Sequence, residues 1–298
     1  MSSRRSPMAI LVSFYLKKTN KGYFDSDEAV RLHMFRRGAV QDLPVALPRK
    51  ALNAGAILTR FNGVQIIEFG TPETAQQTII HLHGGAYVND VFPQHLTFCR
   101  QLSQRLNAHV LLPRYPLVPN YDHTDAYTFL YPFYSAVCAG AKGPVSIIGD
   151  SAGGGLALAF CQQLHARSLP QPAHLVLISP WVDVSMSGVY DPEIERRDAM
   201  LKVAGLKTIG KVWAGGSDVR DPAVSPLFGD NHGLPRTLGF CGTHEILHGD
   251  VTACFEKLQA DGVDAKLIVG EKLGHDYVLY PIPEGKQAVD TICAELQT

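Results

Sequence analysis

The chain has 298 residues, of which 46% are hydrophobic, enough to bury one large core without requiring a second domain. Its 27 basic and 28 acidic residues leave a formal net charge of −1 and form no long run of either sign, which argues against a nucleic-acid partner. The six cysteines, Cys99, Cys138, Cys161, Cys241, Cys254 and Cys293, are scattered with no C-x-x-C pair, so reduced thiols in a cytoplasmic protein are expected rather than a disulfide framework.

At the N-terminus Arg4 and Arg5 precede the apolar run PMAILVSFYL. The residues after it, KKTNKG, contain no small-residue cleavage site, and the run is too short to cross a bilayer. It predicts a helix that lays its apolar side on the body of the protein, and no membrane partner.

Further along, short β-rich runs end in turn residues: VQIIEF, TIIHLH, HVLLPRY, VSIIGD, HLVLIS, TLGFCG and AKLIVG. Helices are predicted over 94–107, 122–141, 152–168, 248–262 and 284–297. Near-continuous apolar strands alternating with helices argue for an α/β domain with a mostly parallel, wound sheet. Residues 1–50 and the insertion at 183–216 break the alternation, and together they are expected to form a cap over one end of the sheet within a single domain spanning 1–298.

Residues 149–153 read Gly-Asp-Ser-Ala-Gly, between a predicted strand and a predicted helix. That context fits a nucleophile elbow, in which Gly149 and Gly153 let neighbouring backbone approach and the hydroxyl of Ser151 is thrust out at the carboxyl edge of the sheet. A serine that only caps the helix is the plainer alternative. A phosphate cradle is disfavoured, because GDSAGGG has neither G-x-G-x-x-G spacing nor a G-K-[ST] ending. The Gly-Asp-Ser of β-barrel proteases is followed by glycine, whereas Ala152 follows here.

A nucleophilic serine needs a base, and the base needs an orienting acid. His275 follows the run AKLIVG and precedes the last helix, at the same sheet edge as Ser151, and the order serine, acid, histidine suits it. Glu245 lies in the loop after TLGFCG and is preferred as the acid over Asp250, which falls in a first helical turn where carboxylates commonly serve the dipole. Asp276 is a poor candidate, since adjacent side chains in a loop rarely converge. Backbone N–H groups of Gly84, Gly85 or Ala86 in HLHGGAY, with that of Ala152, are expected to hold the oxyanion, each donor being worth about 3 kcal/mol. His81-x-His83 also places two imidazoles on one strand face as metal ligands would lie, but no partner motif accompanies them. His83 is therefore expected to brace the loop, with His81 structural and no metal or other cofactor required.

Taken in order, HLHGGAY (81–87), GDSAGG (149–154), DPAVSPLFGD (221–230), EIL (245–247) and GHDY (274–277) resemble the hormone-sensitive-lipase-like branch of the α/β-hydrolases, microbial carboxylesterases with H-G-G-G and G-D-S-A-G-G motifs. Nearly the whole chain can be laid on that pattern. The resemblance implies an α/β-hydrolase fold and a serine carboxylesterase acting on short- to medium-chain acyl esters. It implies Ser151 as nucleophile, His275 as base and acid, and Glu245 in place of the family's usual aspartate. Ala86 stands where the family has its third glycine. A helical cap from about 1–50 and 183–216 is implied to shape the pocket, with Tyr87, Tyr190, Trp213 and Tyr277 as candidate lining aromatics, and a homodimer is suggested. The same triad could serve an acyltransferase, amidase or peptidase. A hydrolase-fold protein that only binds a small ligand is the alternative of another class, and the intact histidine favours the enzyme.

Overall fold

The β-branched runs become strands because each places apolar side chains on both faces of one sheet. In a computed structural model that describes residues 5–20 and 22–297, these are β1 (Ile57–Phe61), β2 (Val64–Phe69), β3 (Gln77–Leu82), β4 (Ala108–Pro113), β5 (Val145–Asp150), β6 (His174–Ile178), β7 (Arg236–Gly242) and β8 (Ala265–Gly270). Arg4, invoked in the reading of the N-terminus, and the outermost and Lys21 positions of the expected 1–298 domain lie outside the described residues. β1 was not anticipated by the sequence pattern. It pairs antiparallel with β2 through Asn62-Gly63, whose φ angles of 46° and 86° suit a two-residue hairpin turn.

Ten helices are described: α1 (Pro7–Thr19), α2 (Asp27–Gly38), α3 (Arg49–Leu52), α4 (Pro93–Leu106), α5 (His123–Gly140), α6 (Ser151–Ala166), α7 (Pro192–Arg197), α8 (Val203–Trp213), α9 (His248–Ala260) and α10 (Pro283–Glu295). The five helices predicted after residue 90 begin and end within two residues of α4, α5, α6, α9 and α10. Among the described residues no helix is long and apolar enough to cross a membrane.

The sheet runs β1-β2-β4-β3-β5-β6-β7-β8. β2 is antiparallel to β1 and β4, and every other neighbouring pair is parallel. Alternation along the strands splits the core. Ile80, Leu82, Ile147, Leu175 and Leu177 pack beneath α5, α6 and α9, while Ile79, Val110, Leu112, Ile148, Val176 and Ile178 meet α4 and α10 on the opposite face. Leu82 pairs with Gly149, Asp150 with Ile178 and Gly242 with Gly270, so the parallel strands end together and their exit loops share one edge.

The N-terminal helix forms where expected and lays a narrow apolar strip, Ala9, Val12 and Leu16, on the body, but most of its large apolar side chains lie outside that strip. Ala9 is buried and Val12 and Leu16 are half-buried, whereas Met8, Ile10, Leu11, Phe14 and Tyr15 are 47 to 66% exposed. The run is apolar on every side, so no single orientation can bury it all. Residues of 5–50 and 183–216 do meet over the carboxyl edge: Asn20 Nδ2 donates to Ala199 O at 3.0 Å, Lys17 Nζ to Arg196 O at 3.2 Å, and Thr208 Oγ1 to Asp27 Oδ1 at 2.7 Å.

Candidate active site

β5 ends at Asp150 in extended backbone, and the chain then turns sharply into α6. Ser151 takes a φ of 50°, a left-handed conformation that costs a non-glycine residue about 1–2 kcal/mol. The turn closes only because the flanking glycines lack side chains. A Cβ at Gly149 would lie 2.3 Å from Gly153 O, and one at Gly153 would lie 2.0 Å from Leu82 O.

The hydroxyl thus presented meets the loop after β8. Ser151 Oγ lies 2.9 Å from His275 Nε2, and His275 Nδ1 lies 3.1 Å from Glu245 Oε2. All three residues are buried. Two bonds hold the acid and histidine loops together, His244 N–H to Leu273 O at 2.9 Å and Lys272 N–H to Thr243 Oγ1 at 2.7 Å. A third contact comes from the 183–216 segment, where buried Asp198 accepts the N–H of Ile246 at 3.0 Å. Asp250 lies in the first turn of α9 and bonds Tyr190 Oη at 2.7 Å, away from the histidine.

Asp276 does converge on the site, contrary to the sequence expectation. Its φ of 55° folds the side chain back, and Oδ2 comes within 3.3 Å of His275 Nε2. That is the serine-facing nitrogen, so Asp276 does not replace Glu245. Burial opposes a charged imidazole at His275, but Asp276, Glu245 and Asp198 outweigh it and raise the group to about 10. Burial also drives the Asp276 carboxyl well above the carboxylate range. The two groups compete for one proton.

The loop after β3 faces the serine. Gly85, Ala86 and Tyr87 have φ angles of 122°, 53° and 58°, three successive left-handed residues of which two carry side chains. The expected role of Gly84 in holding the oxyanion is not compatible with its bonding: its N–H donates to Asp150 Oδ2 at 2.9 Å. The N–H groups of Gly85 and Ala86 meet no acceptor among the described residues. That of Ala152 points from the first turn of α6, the positive end of the helix.

Asp150 is the residue sequence reasoning missed. Oδ1 accepts from His81 Nε2 at 2.7 Å, and Oδ2 accepts from His95 Nε2 at 3.0 Å as well as from Gly84. Burial alone would raise the carboxyl, but His95 and His81 outweigh it and hold the carboxylate far below its usual range. On the far side of the ring, His81 Nδ1 lies 3.1 Å from Cys99 Sγ. His83 belongs to a separate set of bonds: Nδ1 donates to Gly84 O at 2.7 Å, the ring stacks on Tyr115 at 4.6 Å, and Tyr115 Oη donates to His83 O at 2.6 Å. Burial lowers His83 to about 4, so it is neutral. Among the described residues no group of three or more histidine, cysteine or acidic side chains is arranged to hold a metal ion.

A cleft of about 350 Å³ opens over Ser151, walled by Leu16, Tyr23, Phe24, Phe92, Met200 and Tyr280 and floored by Gly85, Ala86, His275 and Asp276. None of the four aromatics expected to line it does so. Tyr87 is buried between Trp213, stacked at 3.9 Å, and Trp181 at 5.6 Å, while Tyr190 is turned to Asp250. Tyr277 is buried beside Gly270 and borders a smaller neighbouring hollow. Aromatic content near the motifs could not separate core from wall, because both use the same residue types.

A family model described as the alpha/beta hydrolase fold matches residues 79–279. The chain is 31% identical over 226 residues to an acetyl-hydrolase of Streptomyces hygroscopicus, covering 74% of this chain and 76% of that one. It is also 31% identical over 245 residues to an esterase of Acinetobacter venetianus, covering 80% of each. In three dimensions it resembles the crystal structure of an esterase from the bacterial hormone-sensitive lipase family with a TM-score of 0.81 at 27% identity, covering 98% of both chains.

Proposed function

Because the chain belongs to the α/β-hydrolase family, in its hormone-sensitive-lipase-like branch, and is a carboxylic ester hydrolase, we propose that Ser151, His275 and Glu245 are its catalytic triad and that hydrolysis proceeds through an acyl-enzyme on Ser151. The observation that carries this reading is the unbroken pair of contacts from Ser151 Oγ to His275 Nε2 and from His275 Nδ1 to Glu245 Oε2 on the cleft floor. Ser151 attacks the ester carbonyl as Nε2 takes its proton, and Glu245 stabilises the imidazolium through Nδ1. Gly85, Ala86 and Ala152 donate to the developing oxyanion. His275 passes the proton to the leaving alcohol, and water then repeats the sequence to release the acid.

The cleft volume supports short to medium acyl chains, and the contacts between 5–50 and 183–216 support a cap formed jointly by these segments. The six free thiols support a reducing compartment such as the cytoplasm. A homodimer is the assembly we assign by kinship with the family, and light scattering measures it directly.

The test is hydrolysis of p-nitrophenyl acetate, butyrate, octanoate and palmitate by the wild type, by Ser151→Ala and with a chelator. We expect butyrate or a neighbour to be best, and a loss of about 10⁴-fold or more in the alanine variant. Activity that survives the substitution and disappears with the chelator would move the chemistry to a metal at His81 and His83.

A further inference from the structure

One carboxyl in the cleft has no role in the triad. The N–H of Asp276 donates to Ser179 Oγ at 3.1 Å, and its left-handed backbone, which aspartate tolerates better than most residues, turns the side chain in beside Ser151 and His275. Oδ2 is the oxygen near His275 Nε2. Oδ1 is buried and meets no hydrogen-bond donor among the described residues, in a residue only 7% exposed. A buried carboxyl oxygen in that position is disfavoured unless a ligand brings the missing donor.

The side of the substrate that brings it follows from the chemistry of Nε2. That nitrogen hands a proton to the leaving oxygen, so the alcohol half of the ester passes within about 3 Å of it. The carbonyl oxygen lies instead toward Gly85, Ala86 and Ala152. Asp276, 3.3 Å from Nε2, therefore borders the alcohol half.

We propose that Asp276 is a specificity-determining residue that accepts, on Oδ1, a hydrogen bond from a hydroxyl carried close to the ester oxygen, so that the enzyme prefers acyl esters of diols and polyols to those of simple alkanols. The inference rests on the triad reading above. Burial, which favours the protonated carboxyl, is compatible with it, because Oδ1 accepts whether or not Oδ2 carries a proton.

The experiment compares kcat/KM for 2-hydroxyethyl butyrate and 2-methoxyethyl butyrate, which share a chain but differ in the donor. The ratio is measured in the wild type, Asp276→Ala and Asp276→Asn. Because both rates come from the same sample, partial misfolding or a general loss of rate cancels. We expect the wild type to favour the hydroxyl ester about tenfold, the order of effect of one sheltered hydrogen bond. The ratio falls to about one in Asp276→Ala and stays above about threefold in Asp276→Asn, whose amide oxygen still accepts.

A wild-type ratio near one, or a preference that persists in Asp276→Ala, overturns the inference. So does faster hydrolysis of butyrylcholine than of the hydroxyl ester, since that cation carries no donor and would report charge attraction alone. Persistence of p-nitrophenyl butyrate hydrolysis in Ser151→Ala would remove the triad reading and this inference with it, whereas a ratio near one beside a dead Ser151→Ala removes this inference only.

Discussion

The floor of the cleft and its roof are held by different forces. On the floor, β3, β5, α4 and the loop at Gly84 meet through one fully buried carboxylate, Asp150, which takes hydrogen bonds from His81, His95 and Gly84. In the roof, the end of α1 joins the 183–216 segment through exposed Lys17 and Asn20, α2 joins it through exposed Asp27 to Thr208, and most of the large apolar side chains of α1 face solvent. The floor also holds left-handed non-glycine residues, at Ala86, Tyr87 and Ser151. Left-handed residues persist only where their surroundings over-determine them, and buried hydrogen bonds supply that constraint where a rim of exposed contacts does not. Geometry that must be kept within a fraction of an ångström is thus anchored in the dry part of the molecule, while the roof supplies most of the apolar walls of the cleft.

The sharpest way to break this contrast is Asp150→Ala, which strands three buried donors. We expect a loss of about 3–5 kcal/mol of stability, or a Tm lower by about 5–8 °C, together with at least a hundredfold fall in kcat as Gly84 is released from its anchor. A variant with unchanged Tm and rate would show that the buried carboxylate does not hold the floor.

A smaller effect is expected from pH. The folded state keeps His83 near 4 and His81 below its ordinary value, both because of burial, while the unfolded chain protonates them near 6.5. The contribution of His83 is therefore fully present above pH 6.5 and is lost as pH falls toward 4, at up to about 1.4 kcal/mol per pH unit, and that of His81 has the same sign. Urea unfolding at pH 7, 6 and 5 measures the slope, and a flat midpoint would contradict neutral, buried imidazoles on the floor.

The smallest change in stability should come from the roof. Phe24→Ala removes a half-buried cleft wall, and we expect Tm to move by no more than about 2 °C while the octanoate-to-butyrate ratio of kcat/KM shifts several-fold. A large drop in Tm with an unaltered ratio would mean that the roof is structural rather than selective.

What the sequence made legible follows the same division. The strands from β2 to β8 and the five later helices could be read because apolar periodicity reports burial on the sheet, and Gly149 and Gly153 could be read because a sharp turn leaves no room for a Cβ. β1 went unread although Asn62-Gly63 is a strong hairpin signal, since ILTRF is half exposed and lacks the apolar run of its neighbours. The bonding of Gly84 and Asp150 depends on residues 66 positions apart, which no local pattern encodes. The approach of Asp276 to His275 depends on a single left-handed φ, and the cleft walls depend on how two distant segments settle over the sheet.

The clamp at Asp150 also governs how such a sequence can change over generations. His81 and His95 lie 69 and 55 positions from Asp150 in the chain, yet altering any one of them orphans a polar group on the others. None can drift alone, so a lineage carrying this cluster inherits it whole or replaces it by simultaneous substitutions. The exposed face of α1 is under no such restraint, and related enzymes are expected to diverge there first while the inherited cluster stays fixed.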